Sequence, residues 1–303
     1  MSGCSQGDII YLDNNATTGL LPQVKEAIMD ALECFGNPSS LHRPGRQSRA
    51  LYEKAREDVG SMVGALPEEI VFTSSGTEAN NLAILGYCLQ FKKGHIITTL
   101  IEHPSVMNPV LRLQRMGYSV SFLRPDSTGV VDPDDVTRQL RPDTILVTIM
   151  HANNETGALQ PIREISEILK DRDVVFHTDA AQSIGKVSVN VHDLGVDMLT
   201  IVPHKFHGPK GIGALYVKSG IKISPILYGA SQEGGLRPGT ENIILASGFG
   251  MAARMVKEEI TRRKDYLRRI TDLLLEKLRQ YIPDIILNTG SGPRVPNTLN
   301  VSI

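Results

Sequence analysis

Short apolar runs rich in β-branched residues alternate along the chain with longer stretches in which apolar residues recur every three or four positions. The short runs are typical of buried strands, and the longer stretches are typical of amphipathic helices. This alternation predicts βα units around a mainly parallel sheet, and therefore an α/β fold. The seven predicted strands span residues 70–73, 95–99, 119–123, 145–150, 174–178, 198–202 and 213–217.

The helical stretches predict how the chain divides into domains. A helix over residues 45–63 repeats an apolar residue every four positions, which predicts one buried stripe formed by Leu51, Ala55, Val59 and Val63. Beyond Glu241 a long helical pattern carries one apolar face formed by Ile260, Leu267, Ile270, Leu274 and Leu278. We expect a large domain over residues 14–250 and an incomplete smaller α+β domain from residues 1–13 and 251–303. Residues 295–303 predict a turn and then a strand.

The charge balance and the chain's first residues exclude several classes of protein. With 32 basic and 33 acidic residues the net charge is -1, which creates no general field for nucleic acid or an anionic membrane, so we expect neither partner. No apolar run approaches the ~18 residues that a membrane span needs, and the first eight residues lack a secretory signal pattern. We therefore expect a cytosolic protein.

The basic residues at 262–264, 268 and 269 alternate with acids and predict a solvated helix face.

The three cysteines do not predict a disulfide or a metal site. Cys4, Cys34 and Cys88 form no CxxC pair, and their odd number argues against a disulfide framework or a structural zinc site. We expect reduced thiols, with Cys88 packed in the core and both Cys34 and Cys88 lying within helices.

A cluster of small polar residues follows the first predicted strand. Ser74, Ser75, Gly76 and Thr77 also open a predicted helix, so backbone N–H groups, hydroxyls and the positive end of the helix dipole would converge there, as a phosphate requires. The same residue types serve as ordinary helix caps, and that interpretation stays open. A P-loop is excluded because no GK[ST] follows.

Two charged residues directly follow predicted strands. Asp179 lies at a carboxyl strand end, where open α/β sheets bind ligands, and it is either a helix cap or the acid that keeps the pyridine nitrogen of pyridoxal 5'-phosphate (PLP) protonated. Lys205 follows the next strand, where partial burial would lower the pKa of its amine, and a neutral amine is what condenses with an aldehyde. Lys210 is a competing candidate, but it lies in a Gly/Pro loop that leaves a lysine in solvent. We therefore predict that Lys205 binds the cofactor.

Eight short motifs follow one another along the chain. They are Asp13-Asn14-Asn15-Ala16-Thr17-Thr18, Gly36-Asn37-Pro38-Ser39-Ser40, Ser75-Gly76-Thr77-Glu78-Ala79-Asn80-Asn81, Glu102-His103, Asn153-Asn154-Glu155-Thr156-Gly157, Asp179-Ala180-Ala181-Gln182, His204-Lys205 and Arg237-Pro238-Gly239-Thr240-Glu241-Asn242. In this order they resemble the motifs of the cysteine desulfurases, which are fold-type I PLP-dependent transferases. Residues 199–206 look most like the animal-type selenocysteine lyases of that family. The resemblance covers essentially the whole chain.

The resemblance implies two catalytic residues and two residues that hold the cofactor ring. Lys205 would form the Schiff base with PLP and, once released, remove the α-proton of the substrate. His103 would stack on the ring and help to move protons. Asp179 would pair with the pyridine nitrogen, and Gln182 would donate a hydrogen bond to the phenolic oxygen.

The resemblance also implies phosphate and substrate contacts. Thr77, the backbone of Gly76 and His204 would hold the phosphate. The amino-acid substrate would be contacted by Asn14 and Asn154, with the ring oxygen as an alternative partner of Asn154. Thr240 would reach the phosphate of a neighbouring subunit, which implies a homodimer.

The reaction implied by the resemblance removes sulfur or selenium from L-cysteine or L-selenocysteine and leaves L-alanine. A loop cysteine of the family takes the sulfur before an acceptor protein receives it, and none of the three cysteines here matches that residue. The substrate-carboxylate arginine of the family also has no counterpart. We therefore expect binding of PLP and substrate with slow turnover of cysteine. One alternative is a catalytically silent PLP-binding or partner-binding protein, and another is a transaminase, which residues 153–157 and 237–242 disfavour.

Overall fold

The computed structural model describes residues 10–303, so Cys4 lies outside the described residues. The helices are α1 (Pro22–Leu32), α2 (Arg43–Val63), α3 (Gly76–Cys88), α4 (Pro104–Arg115), α5 (Pro133–Gln139), α6 (Ile162–Leu169), α7 (Val191–Leu194) and α8 (Ile243–Tyr281). The strands are β1 (Ile70–Thr73), β2 (His95–Thr99), β3 (Ser119–Leu123), β4 (Thr144–Thr148), β5 (Val175–Asp179), β6 (Met198–Ile201), β7 (Gly213–Val217), β8 (Ile286–Leu287) and β9 (Val301–Ser302). Short 3-10 turns lie at Pro67–Glu69, Pro203–Lys205 and Gln232–Gly235.

Strands β1 to β7 form one sheet in the order β1-β7-β6-β5-β4-β2-β3. Strand β7 alone is antiparallel to its neighbours β1 and β6, and the remaining pairs are parallel. Strands β6 and β7 are joined by the turn at Pro203–Lys205 and a loop without a crossover helix, and such a connection suits an antiparallel pair. The predicted seven-stranded, mainly parallel sheet is confirmed.

Helices cover both faces of this sheet. Successive strand residues point to opposite faces, so Phe72 and Tyr216 join one core cluster while Val71 and Leu215 join the other. The first cluster packs against α1, α2, α6 and α8, and the second packs against α3 and α4. This doubly covered sheet leaves the strand ends available for a binding site.

The buried stripe of α2 differs from its prediction at one position. Its buried residues are Gly45, Ser48, Tyr52, Ala55, Arg56, Val59, Gly60 and Val63. Leu51, which the spacing places in the stripe, is only partly buried, and the neighbouring Tyr52 packs against the ring of Phe72 instead. A larger side chain one position along the helix therefore takes the place of the expected leucine.

Helix α8 is a single helix of 39 residues. Its first turns pack on α1 and α2, with Phe249 and Ala253 buried in the core, while Leu274 is 43% exposed near the other end. The predicted boundary between residues 250 and 251 falls inside this helix, and the division into two domains stays a prediction. The strand expected near the end of the chain is present as β9, paired with β8. Within residues 10–303, no helix is both long and apolar enough to cross a bilayer.

Candidate active site

A cavity of about 470 Å³ opens at the carboxyl ends of β1, β2, β4, β5 and β6. Its volume lies in the usual range for a small-molecule site, roughly 300–1,000 Å³. The predicted site residues that line it are Gly76, Thr77, His103, Asn154, Asp179, Gln182, His204 and Lys205. Parallel strands bring these residues together because their carboxyl ends meet at one edge of the sheet.

Lys205 ends the short turn that follows β6. Its Nζ donates hydrogen bonds to the carbonyl oxygens of Asn15 at 2.5 Å and Ala16 at 2.9 Å. Burial lowers the pKa of the Lys205 amine, although the nearby Asp179 opposes that shift. Lys210 is exposed and does not line the cavity. Pro203 begins the turn, where its fixed backbone angle is tolerated.

A chain of hydrogen bonds joins Asp179 to His103 across the cavity floor. Asp179 accepts hydrogen bonds from Asn80 Nδ2 at 2.7 Å and from the amide of Ala181 at 2.9 Å. Asn80 Nδ2 also donates to Ser105 Oγ, and this hydroxyl lies 2.7 Å from His103 Nδ1. Because His103 Nδ1 also accepts from the Ser105 amide at 3.1 Å, the neutral ring must carry its proton on Nε2.

Asn80 and Ser105 are site residues for which the sequence predicted no role. Asn80 is buried in α3 one helical turn beyond Gly76, and that spacing is a signal which places it on the cavity side of the helix. Ser105 follows His103 by two residues in the first turn of α4. Its contact with Asn80 joins two different helices, so local sequence carries no signal for it.

The N-terminus of α3 forms a cradle at the cavity wall. Ser75 Oγ caps the helix by accepting from the amide of Glu78 at 3.2 Å, whereas the amides of Gly76 and Thr77 precede the first intrahelical hydrogen bond. The helix-cap interpretation is therefore confirmed for Ser75, and phosphate binding by Gly76 and Thr77 stays a prediction. A Cβ on Gly213 would lie 2.6 Å from the Ser75 carbonyl carbon, so glycine is required for this close approach.

His204 lies beside this cradle with a neutral ring. Burial and the positive charges of Lys205 and Lys210 lower the pKa of His204 to about 4. Its Nδ1 lies 3.1 Å from Thr17 Oγ1. At neutral pH the ring can therefore donate one hydrogen bond to an anion without adding a full charge.

Asn154 is presented by a tight turn. The side-chain oxygen of Asn153 accepts from the amides of Glu155 at 3.0 Å and Thr156 at 2.9 Å, and Gly157 closes the turn at a φ of 76°. Such a positive φ favours glycine. The turn holds Asn154 at the rim between the cavity and a neighbouring cleft.

The neighbouring cleft has a volume of about 870 Å³ and shares Asn15, Asn154 and Lys205 with the cavity. Asn14 lines this cleft only, so its predicted substrate contact stays a prediction. Arg263 of α8 also lines the cleft, and burial lowers the pKa of its guanidinium. The interpretation of the whole basic cluster as a solvated face is therefore wrong for Arg263, because the helix turns this residue towards the cleft.

Thr240 is exposed and lies outside the cavity of its own chain. It belongs to the loop between the turn at Gln232–Gly235 and α8. Its predicted contact with a neighbouring subunit stays a prediction.

The two described cysteines also lie outside the cavity. Cys88 is fully buried at the end of α3, as expected, and burial raises the pKa of its thiol. Cys34 follows α1, and its amide donates to the carbonyl of Ala31 at 3.1 Å. The prediction that Cys34 lies within a helix is wrong, since α1 ends two residues earlier.

These groups match the chemistry of PLP. The cavity offers an amine with a lowered pKa, a buried carboxylate held by two donors, and a helix N-terminus for a phosphate. Asn80 Oδ1 is buried at the cavity without a hydrogen-bond partner among the described residues. An aldehyde, a protonated ring nitrogen and a phosphate would each find a partner here, so the described residues fit the cofactor.

Residues 10–303 match the family described as Aminotransferase class-V. A cysteine desulfurase IscS of Dictyoglomus turgidum is 46% identical over 296 residues, covering 97% of this chain and 75% of that relative. A solved NifS-like protein has a TM-score of 0.93 at 37% identity and covers 97% of this chain and 81% of that one. A structure of SspA in complex with cysteine has a TM-score of 0.79 at 40% identity, over 81% of this chain and 72% of that one.

The fold and the site define a fold-type I PLP-dependent protein. The chain belongs to the aminotransferase class-V family, and within it to the cysteine desulfurases, which depend on PLP. It spans about three quarters of the length of the curated relatives.

Proposed function

We propose that this protein binds PLP on Lys205 and removes sulfur from L-cysteine, leaving L-alanine. The observation that carries the proposal is the single cavity that joins the Lys205 amine, the Asp179 carboxylate and the N-terminus of α3. When bound, the cofactor supplies an electron sink that makes the α-proton of an amino acid acidic. The cysteine desulfurases among the relatives support the same reaction.

The chain's own residues would handle the protons of this reaction. Lys205 Nζ has a lowered pKa, so its neutral form is available to take the proton from the substrate α-carbon. His103 carries its proton on Nε2 because the Ser105 amide occupies Nδ1, so it can donate that proton in the cavity. The hydrogen bonds from Asn80 and Ala181 hold Asp179 as an acceptor for the ring nitrogen.

Sulfur removal also needs a thiol. The carbon–sulfur bond breaks, a proton replaces sulfur on the β-carbon, and a thiol takes the sulfur as a persulfide, so cysteine and a thiol give alanine and a persulfide. Neither Cys34 nor Cys88 lines the cavity. We propose that the sulfur is taken by a thiol other than Cys34 and Cys88, which would reach the site through the neighbouring cleft.

Selenocysteine is the second substrate that we propose. The resemblance of residues 199–206 to selenocysteine lyases supports it, and a selenol ionises more readily than a thiol. Sulfur and selenium substrates are distinguished by assaying both on one preparation. We also propose that the protein is cytosolic. We propose further that residues 14–250 form one domain and that residues 1–13 and 251–303 form part of a second.

A product assay tests the proposal. The PLP-loaded chain is incubated with L-cysteine or L-selenocysteine and excess dithiothreitol, which reduces the persulfide and is itself oxidised, and alanine and sulfide or selenide are then measured. We expect equal amounts of alanine and sulfide, lost in Lys205→Ala and retained in the matched control Lys210→Ala. A keto acid in place of alanine would identify a transaminase and overturn the proposal.

A catalytically silent PLP-binding protein is a second candidate function. It is favoured by the observation that neither described cysteine lies in the cavity. If this candidate is right, PLP binds to Lys205, but neither L-cysteine nor L-selenocysteine yields alanine, even when thiol is added. Alanine that depends on Lys205 would exclude it.

We also propose that the protein is a homodimer in which Thr240 serves the partner's site. Phe35 and Leu41 are each 87% exposed, and both flank the loop whose Ser39 Oγ lies 3.5 Å from Glu241 Oε1. Exposed apolar side chains on either side of a loop that contacts Glu241, the residue after Thr240, suit a protein interface. Thr240 itself lies outside the cavity of its own chain, so it is available to a neighbour.

Mixed dimers test this arrangement. Lys205→Ala and Thr240→Ala subunits are coexpressed with different tags, the mixed dimer is purified, and PLP binding is titrated. If Thr240 acts across the interface, the mixed dimer holds one intact site with wild-type affinity. If Thr240 acts within its own chain, the mixed dimer binds PLP no better than the Thr240→Ala homodimer. If Thr240 does not act at all, the Thr240→Ala homodimer already binds PLP like the wild type. A single-subunit mass by light scattering would also contradict the proposal.

A further inference from the structure

Lys186 is a lysine that the site described above does not use. It follows β5 by seven residues and is 3% exposed. Among the described residues its hydrogen-bond partners are amide oxygens: Nζ donates to Gln182 Oε1 in a short contact and to Asn15 Oδ1 at 3.3 Å. It lines the neighbouring cleft but not the cofactor cavity.

Burying an amine with these partners costs folding free energy, because the charged group loses its hydration. Burial, and then the positive charges of Lys205 and Arg263, lower the pKa of Lys186 to about 7. An apolar side chain of similar size would avoid the desolvation penalty of the amine. The hydrogen bonds of Lys186 to Gln182 and Asn15 therefore need a reason beyond packing.

The contacts of Gln182 supply that reason. Gln182 lines the cofactor cavity, and its Nε2 donates to the carbonyl oxygen of Asn15 at 2.8 Å. Because the Asn15 carbonyl can only accept, its contact requires that the NH₂ group of Gln182 faces Asn15, and the amide oxygen then faces Lys186, whose amine donates to it. One N–H of that group is taken by Asn15, and the second remains for a ligand.

Asn15 links the same lysine to Lys205. The Asn15 carbonyl accepts from both Gln182 Nε2 and Lys205 Nζ, while its side-chain oxygen accepts from Lys186. The Asn15 side-chain oxygen also accepts from Asn297 Nδ2 at 3.0 Å and Thr298 Oγ1 at 3.3 Å, so Lys186 is one of that oxygen's three donors among the described residues. Within residues 10–303, Lys186 is the one donor to the side-chain oxygen of Gln182. Its place in the network is one step removed from the cofactor.

We propose that Lys186 is a positioning residue, which fixes the Gln182 amide with its N–H towards the cofactor. The inference rests on the proposed binding of PLP at Lys205. In the absence of Lys186, the Gln182 amide can rotate and present its oxygen to the cofactor's oxygen, which repels it.

The first test is cofactor binding to the apo protein. Lys186→Met removes the donor with little change in volume, Lys186→Gln keeps an N–H without the charge, and Lys210→Met is the matched exposed control. We expect Lys186→Met to raise the dissociation constant of PLP about tenfold or more. A loss of this size is typical when a buried polar group loses its hydrogen-bond partner. Lys186→Gln should fall between it and the wild type, and Lys210→Met should match the wild type.

The absorption spectrum of bound cofactor gives a second readout. Loss of the Gln182 donor leaves more negative charge on the ring oxygen, which stabilises the protonated form of the cofactor's bond to Lys205. The pH midpoint of the absorbance change should therefore rise in Lys186→Met and stay unchanged in Lys210→Met. An unchanged midpoint in Lys186→Met contradicts the inference.

A double-mutant cycle separates positioning from a merely structural role. If Lys186 acts through Gln182, then Lys186→Met adds little to the loss of PLP affinity caused by Gln182→Ala. Additive losses, or a normal dissociation constant in Lys186→Met, overturn the inference. If Lys186→Met does not fold, Lys186→Gln takes its place in the same cycle. Wild-type protein that fails to bind PLP at Lys205 would instead overturn the proposed function and this inference together.

Discussion

Glu233→Gln should destabilise the whole protein, because Glu233 is the buried acceptor that ties the loop before α8 to α2 and β1. Its Oε1 accepts from Arg56 Nη2 at 2.6 Å and Tyr52 OH at 2.8 Å, and its Oε2 accepts from Arg56 Nη1 and the Phe72 amide, both at 2.7 Å. The side chain is only 3% exposed. Burial alone would lower the pKa of Arg56, but the hydrogen bonds and charge of Glu233 outweigh it and raise that pKa.

The size of the effect follows from the geometry. Glutamine has one acceptor oxygen, so its NH₂ group would face N–H donors of Arg56 or Phe72 and leave the guanidinium with the partly exposed Glu53 as its remaining acidic partner. Removing one member of a buried ion pair costs about 3–5 kcal/mol. For 303 residues the unfolding entropy is about 0.6 kcal/mol/K near 60 °C, so Tm should fall by about 5–8 °C.

The assay is differential scanning calorimetry of the PLP-loaded protein, with Glu53→Gln as the matched control. Glu53 contacts the same arginine at 3.0 Å, but its side chain is 40% exposed, so its ion pair contributes at most about 1 kcal/mol. We expect the control to change Tm by less than about 2 °C. If Glu233→Gln melts no lower than Glu53→Gln, the assignment of Glu233 as the buried anchor of this loop is refuted.

Two further predictions concern the active site, and a third concerns Glu102, the buried acid that precedes His103. Borohydride treatment of the PLP-loaded protein should fix the cofactor to the peptide that carries Lys205, and label on Lys210 would overturn the assignment. Asp179→Ala should weaken PLP binding tenfold or more in a titration of the apo protein, and an unchanged dissociation constant would count against its contact with the ring. Burial raises the pKa of Glu102 to about 8, so the stability that its protonated form contributes is complete below the ordinary glutamate pKa and is lost as pH rises to about 8. Urea unfolding at several pH values should therefore show Glu102→Gln gaining stability relative to the wild type by up to about 1.4 kcal/mol per pH unit over that window, and a constant difference would contradict this.

The strands and the helix stripe show what local sequence can predict. A strand such as β6 is a short apolar run between turn residues, so its position can be predicted from neighbouring residues in the sequence. The stripe on α2 was also predicted from local spacing, yet spacing alone could not decide between Leu51 and Tyr52. The sheet order brings Phe72 against that face of α2, and the aromatic ring of Tyr52 packs on it better than a leucine at the next position.

The hydrogen-bond network of the site shows where such prediction ends. Asp179 and Lys205 were found because each follows a strand, which is a local signal. The pairing of Asn80 with Asp179, and of Arg56 with Glu233, joins residues on different elements that are distant in sequence and meet only in the folded chain. The periodicity of apolar residues carries no signal for such a contact. The sequence could therefore predict the helix or strand on which a residue lies, but not its hydrogen-bond partner.

The N-terminal segment illustrates the same limit at the level of one residue. The substrate contact of Asn14 in the motif at residues 13–18 stays a prediction, whereas no local pattern predicts the contacts of Asn15: its carbonyl accepts from Gln182 and Lys205, and its side chain accepts from Lys186. Asn14 lines the cleft alone, whereas Asn15 lines both cavities. A segment without regular secondary structure thus forms a wall of the cofactor cavity. Its contact with Lys205 and Gln182 is made by the backbone carbonyl of Asn15, and a pattern of side chains along the sequence carries no signal for a backbone contact.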